Sequence, residues 1–293
     1  MLSQQLLNAL SLGSVYAVFA LGFTLIFGVL GVINLSHGVI FMMGSYIALQ
    51  LVTLLHLPIV LALVVAAIMS GVLAVVIDWL VLRPLRARNA PHLAPMIATI
   101  GVSILLTSLI QGLMGAEIRR FPSGTLPEES ITWGDLHITY VQIGIMVIAI
   151  IMMVGLWLLM KKTQLGRALR AIAESPKAAA LLGIPVEKLF YCTSFMAGSL
   201  GGVAGVLVGL SFNAISPFMG QPMLHKGIAV IILGGMGDIR GALIGGLFLG
   251  FAEVFSVAYL SSDFRDAIAF GLLFLILLIK PSGLFGRVLE RKA

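Results

Sequence analysis

Formal charge is nearly missing from this sequence. Asp, Glu, Lys and Arg make up 10% of its 293 residues, and residues 1–77 contain none of them. A water-soluble fold of this length needs a charged shell, so that class is excluded. Cysteine is almost absent as well, and the single Cys192 rules out an internal disulfide and any cysteine-based zinc site. No Gly-Lys-Ser or Gly-Lys-Thr occurs, so the chain does not bind and hydrolyse ATP through a phosphate loop of that kind. The His-Glu-x-x-His and Gly-x-Ser-x-Gly patterns are missing too, which leaves hydrolytic chemistry without a foothold. Gly235, Gly237 and Gly241 imitate a dinucleotide fingerprint only superficially, because the strand–helix–strand context is lacking.

What is present is grease. The chain is 60% hydrophobic, with a mean hydropathy of +1.12, and uncharged runs recur at 89–116, 136–160, 190–225 and 267–279. Crossing a hydrocarbon layer of about 30 Å takes roughly 17–25 such residues as a helix. Backbone groups cannot face lipid unpaired, so the choice lies between helices and a closed barrel, and these runs are too long for barrel strands of about 10 residues. The expected fold is all-α, a polytopic transmembrane helical bundle forming one integral-membrane domain over 1–293. Nine crossings are drawn, at about 5–30, 38–55, 58–82, 93–115, 139–160, 189–210, 218–237, 241–261 and 266–280. A turn-back after His37 would reduce them to eight and move the N-terminus to the other side. The N-terminus lacks the basic stretch of a cleaved signal, so the first helix is expected to be retained.

The net charge of +6 invites a nucleic-acid reading, but the cations sit in short connections, as expected beside anionic lipid on the cytoplasmic side. Arg83, Arg86 and Arg88 mark one such connection, six Lys or Arg within 161–188 a second, and Arg287, Arg291 and Lys292 the C-terminus. Residues 116–140 then face outward as an ordinary loop, with Pro122, Gly124, Pro127, Glu128, Glu129 and Asp135, and with Arg119 and Arg120 as an exception to the charge bias. The segment 161–190 has helical spacing of Leu165, Leu169 and Ile172, a Ser175–Pro176 helix start, Leu181 and Leu182, and a Gly183–Ile184–Pro185 stop. Two readings are open for it: a helix lying on lipid, or a docking element for a soluble partner.

Two apolar segments are interrupted by glycine, at 22–44 and 226–246. Non-helical backbone at membrane depth survives only where it is buried or lines a cavity, so paired interruptions point to a transport path. The candidates on it are Asn34, Ser36, His37 and Gly38, with Lys226 and Glu253 as ionisable residues inside predicted spans. Asn34 and Ser36 are expected to satisfy opened backbone groups and Gly38 to permit a bend. Plain helix–helix hydrogen bonding remains open for each polar residue. Asp78, near Arg83, reads as an interfacial pair.

Four ordered stretches carry a resemblance: "GFTLIFGVLGVINLSHGVIFMMGSYIA", "GRALRAIAESPKAAALLGIP", "KGIAVIILGGMGDIRGALIGGLFLGFAE" and "FRDAIAFGLLFLILLIKPSGLFG". Together they resemble the membrane permease subunits of bacterial ATP-binding-cassette (ABC) importers for branched-chain and other hydrophobic amino acids. The resemblance implies a location in the bacterial inner membrane and a heterodimer with a second related permease subunit. It also implies two cytoplasmic ATPase subunits that use the ATP, and an extracytoplasmic substrate-binding protein. This chain would bind no cofactor or metal of its own. Arg170, Ala173, Glu174, Ala179 and Gly183 would then belong to the segment that docks the ATPase. Relatives that move urea or short amides leave the cargo open, and an ion-coupled secondary transporter using Lys226 and Glu253 is the competing class.

Overall fold

The computed structural model describes residues 2–91, 93–122, 125, 130–133, 136–235, 237–261, 264–280 and 283–285. Gly124, Pro127, Glu128, Glu129, Asp135, Arg287, Arg291 and Lys292 lie outside the described residues. The chain is an all-α bundle. α1 (Leu2–Leu30) is followed by α2 (His37–Leu55) and α3 (Ile59–Ile77), which runs through a π-helical turn (Asp78–Leu82) into α4 (Arg83–Ala87). Then come α5 (Leu93–Met114), a hairpin of β1 (Ser130–Trp133) and β2 (Leu136–Thr139), and α6 (Tyr140–Lys162). α7 (Gln164–Glu174) and α8 (Pro176–Leu181) lead into α9 (Val186–Phe212), α10 (Gly220–Gly234), α11 (Ile239–Tyr259) and α12 (Arg265–Ile279).

Seven helices are long and apolar enough to cross a membrane, counting Ile59–Ala87 as one, so this is a multi-pass membrane protein. The count is below the eight to nine expected. The difference lies in α10 and α12, each 15 residues long, or about 22 Å at 1.5 Å per residue. Both fall short of the roughly 17–25 residues that a full crossing takes. α10 begins beyond Ile215, which pairs with Arg119, and ends near the tail residues Leu284 and Phe285, whose N–H groups donate to Leu233 and Gly234.

One end of the bundle is basic and carries α4, α7 and α8; the other carries the hairpin. The hairpin replaces part of the loop expected over 116–140. It is fastened to α1 by two hydrogen bonds between Gln4 and the His137 backbone, both 2.9 Å. A Thr139–Gln142 capping box starts α6 immediately after it.

The core is built from two halves that pack alike. α1 lies along α11, and α9 lies along α3. Both pairs approach through small residues: Gly13 and Ala17 meet Gly250 and Gly246, while Gly198 and Gly202 meet Ala74 and Ser70. Each long first helix ends at a left-handed residue, Gly31 at φ 66° and Asn213 at φ 43°. In each half a non-helical stretch follows and a second helix starts deep inside the bundle. This arrangement, with the two halves running in opposite directions, is that of an inverted repeat.

At the basic end, Asp78 is fully buried and pairs with Arg86 at 2.6 Å. The sequence suggested Arg83, but that side chain turns instead to Glu187 at 3.9 Å. The π turn changes which residues share a face, and this phase shift brings Arg86 over Asp78.

Replacing Gly202 by Leu should lower the thermal unfolding midpoint in detergent, with a cost of about 1–3 kcal/mol. A Cβ there meets Ser70 with no room to move. Gly112→Leu, on an open face of α5 with nothing within 4 Å, should leave the midpoint unchanged; equal losses at both positions would rule out close packing as the reason.

Candidate functional site

Gly31, whose N–H still donates to the Phe27 carbonyl, turns the chain at the end of α1, and residues 32–36 run back into the bundle outside any helix. The backbone groups of Leu35 and Ser36 find specific partners. The Asn34 Oδ1 accepts from the Ser36 N–H at 3.0 Å and from the Ser36 hydroxyl at 2.6 Å. The Leu35 N–H donates to the Thr99 hydroxyl, and the Ser103 hydroxyl donates to the Leu35 carbonyl, both at 3.1 Å. In lipid such groups would otherwise go unpaired at several kcal/mol each. Two of the expected path residues, Asn34 and Ser36, are thus buried and turned inward.

His37 opens α2 at the level of Phe19, midway along α1. Its Nε2 lies 3.2 Å from the Phe19 carbonyl, which can only accept, so Nε2 carries the proton. The ring sits against Phe19 and Phe23, with centroids 4.7 and 5.6 Å away. Gly22 and Gly201 leave the room it occupies. His37 is therefore fully buried and is not among the residues lining the cleft between α2, α5 and α10.

Gly38 does something other than bend. It is already helical, and the left-handed residue is Gly31. A Cβ on Gly38 would strike the Gly220 carbonyl, and one on Gly220 would strike that of Gly38. The two glycines let the starts of α2 and α10 touch backbone to backbone. Neither start has a side-chain cap, so two helix N-termini, each with a partial positive charge, meet at one level.

A cleft of about 510 Å³ opens beside that meeting point, between α2, α5 and α10. Gly38 and Gly220 form part of its wall. Leu35, Val39, Met42, Leu224 and Ile228 supply apolar lining, and Ser103, Thr107 and Gln111 of α5 with Gln221 and His225 of α10 supply polar lining. Among the described residues none of those lining it is Asp, Glu, Lys or Arg.

Lys226 and Glu253 do come together, on a different face. Lys226 Nζ lies 2.8 Å from Glu253 Oε1 and 3.4 Å from Asp266 Oδ1. The Tyr16 hydroxyl donates to Glu253 Oε2 at 2.6 Å and accepts from Lys226 at 3.2 Å. This network ties α10 to α1 and α11, and Lys226 does not line the cleft. No group of three or more His, Cys, Asp or Glu able to hold a metal ion occurs among the described residues.

At the basic end α7 is seated by Leu169 and Ile172, both fully buried. Arg170 donates from its Nη1 to the Met160 carbonyl, closing the turn between α6 and α7. The Ser175 hydroxyl accepts from the Ala178 N–H at 3.3 Å and Pro176 is the first residue of α8. Gly183 ends the segment at φ 79°. Ala173 and Glu174 are exposed, whereas Ala179 is buried and holds α8 down. Leu181 and Leu182 project from its end, 89% and 81% exposed.

Residues 5–277 match the family described as branched-chain amino acid transport system / permease component. The chain belongs to this family. It is 37% identical to the high-affinity branched-chain amino acid transport system permease protein BraD of Pseudomonas aeruginosa, over 97% of this chain and 95% of the relative. It is 35% identical to the protein of the same description, LivH, of Escherichia coli, with the same coverage. A probable branched-chain amino acid transport permease protein LivH of Methanocaldococcus jannaschii is 32% identical over 95% of this chain and 91% of the relative. No solved structure matches.

For this permease-family chain, sequence reasoning missed the contribution of α5. Its signal was present: Ser103, Thr107 and Gln111 recur at the four-residue spacing of one helix face. Tyr16 was missed as well, since nothing local distinguishes it from a core aromatic.

Truncating Glu253 to Ala should cost this bundle about 3–5 kcal/mol by leaving Lys226 without its nearest counter-charge, and the double change Lys226→Met with Glu253→Met should cost clearly less. Thermal unfolding of the purified variants reads both. A double variant no more stable than the single one would mean that the network contributes more than pairing.

Proposed function

We propose that this chain is the transmembrane permease subunit of an ABC importer of the bacterial inner membrane, carrying branched-chain or similar hydrophobic amino acids. The observation that carries the reading is the uncharged cleft at the level where two broken crossings meet. Membrane chains place substrate sites where discontinuous helices meet near the midplane, because backbone departures from helix are tolerated only around a cavity. A path lined by Leu, Val, Met and Ile together with hydroxyl and amide groups suits a small amphiphile. The names of the relatives agree with that chemistry.

In this reading the whole chain is one permease domain and binds neither cofactor nor metal. It works with a second, related permease subunit in a heterodimer, an extracytoplasmic substrate-binding protein and two cytoplasmic ATPase subunits. ATP is used by those subunits, and the chain itself is no enzyme. Nucleic acid has no part, and the basic end faces the cytoplasm, where the Lys and Arg of 161–188 meet anionic lipid. α7 and α8 form the ATPase-coupling element. Arg170 braces it against α6, Ala173 and Glu174 offer an exposed face, Ala179 holds α8 in place, and Gly183 ends it. Leu181 and Leu182 are the apolar knobs that enter a groove on the ATPase. Such exposure on an otherwise basic surface is the mark of a docking site. Closure of the ATPase dimer then moves the helices by rigid-body displacement, and cargo passes without covalent change.

Two outcomes check this. Vesicles holding the chain with its ATPases and binding protein should accumulate leucine only with ATP, whereas uptake by the chain alone on a proton or sodium gradient would replace the proposal with a secondary transporter. Changing Leu182 to Asp should cut cargo-stimulated ATP hydrolysis by about tenfold or more, since burying an unpaired carboxylate opposes docking. Membrane insertion should stay normal, and undiminished hydrolysis would remove α8 from the coupling role.

A further inference from the structure

One face of α5 presents Ser103, Thr107 and Gln111 to the cleft, one helical turn apart. Across from it α10 presents Gln221 and His225. The Ser103 hydroxyl is engaged with the Leu35 carbonyl. Among the described residues the side chains of Thr107, Gln111, Gln221 and His225 have no hydrogen-bond partner. Amide and hydroxyl groups left open against hydrocarbon are strongly disfavoured, so this face is covered by something that hydrogen-bonds. The rest of α5 shows the contrast: Leu105, Leu109 and Leu113, on its other side, are exposed and apolar.

We propose that the Ser103–Thr107–Gln111 face of α5 is a polar rail that carries the charged head of a zwitterionic amino acid, while Val39, Met42 and Leu224 take its aliphatic side chain. The assignment rests on the permease reading and deepens it. Thr107 and Gln111 can accept from an ammonium group. The starts of α2 and α10, at Gly38 and Gly220 on the same wall and without side-chain caps, turn a positive dipole end toward a carboxylate. Fixed charges would hold one end of a zwitterion tightly, whereas a row of neutral dipoles binds it weakly at successive positions and lets it leave. The same neutrality gives selectivity. A lysine or aspartate side chain would place its extra charge beside Val39, Met42 and Leu224, which offer it neither hydrogen bond nor counter-charge, and is disfavoured there. Thr107, Gln111 and Met42 are thus specificity-determining residues.

The test uses the assembled transporter in a Cys192→Ser background, with Thr107→Cys and Gln111→Cys read against Leu105→Cys. A small cationic methanethiosulfonate reagent should modify the first two at least tenfold faster than the third, and excess leucine presented by the binding protein should slow them about threefold or more. In parallel, the Thr107→Val and Gln111→Leu double variant should raise the KM for leucine uptake about tenfold, the worth of one or two hydrogen bonds. Thiols that react in the chain alone but are shielded in the assembly with or without leucine would show that the face is a seam between subunits and overturn the rail. Unprotected thiols, or wild-type KM in the double variant, would overturn it as well. If the permease reading itself failed, ATP-dependent uptake by the unsubstituted assembly would be missing, whereas failure of the rail leaves that uptake intact.

Discussion

Inside a hydrocarbon layer no backbone N–H or carbonyl can be left to water, and this bundle must satisfy that constraint at two places where its helices stop half-way. Everything around the cleft follows from how it does so. At the first break Asn34 and Ser36 fold onto their own backbone, while Thr99 and Ser103 reach over from α5 to hold Leu35. That reach fixes the distance between α2 and α5. The contact of Gly38 with Gly220 fixes the distance between α2 and α10. With two sides set in this way, the cleft between the three helices is a consequence of backbone accounting rather than of loose packing.

Both halves of the bundle pack through small residues, and one of them adds a buried ion network. α9 lies on α2 and α3 through Gly198, Gly202 and Gly205, so close that no added Cβ fits. α10 is fastened to α1 and α11 in part by Lys226, Tyr16 and Glu253. Close-packed apolar seams have a narrow range of acceptable geometry, because dispersion falls off within fractions of an ångström. An ion pair with a second carboxylate nearby, here Asp266 at 3.4 Å, tolerates larger displacement.

Much of this was legible along the chain. The helix boundaries drawn from uncharged runs fall within a few residues of the observed ones, since lipid leaves little besides helix for an apolar run of that length. Ser175 and Pro176 were read correctly as a helix start because capping is a local matter. The interruption around Asn34 was located, but its bend was placed at Gly38 when the left-handed residue is Gly31. A glycine needed for close approach and one needed for its backbone angle look alike in a sequence. The hairpin at 130–139 was passed over as loop, although the two runs flank Gly134–Asp135, a pair suited to a tight turn. His37 looked like a path residue and proved to be a buried ring between two phenylalanines.

By itself the sequence determined the solvent of this protein, its helical class, the region of the first interruption around Asn34 and the basic, amphipathic character of the segment 161–188, whereas the second interruption, expected within 226–246, lies after Asn213. Each of these depends on composition or on neighbours a few residues apart, and the absence of charge and the spacing of glycine report them directly. Only the tertiary structure decided which polar residues face a cavity and which face one another. Asn34, Ser36 and His37 turned inward, Lys226 and Glu253 found each other across helices far apart in the chain, and the wall of the cleft came from α5. The physical reason is that a side chain at membrane depth is directed by whatever can pair with it, and that partner lies on another helix.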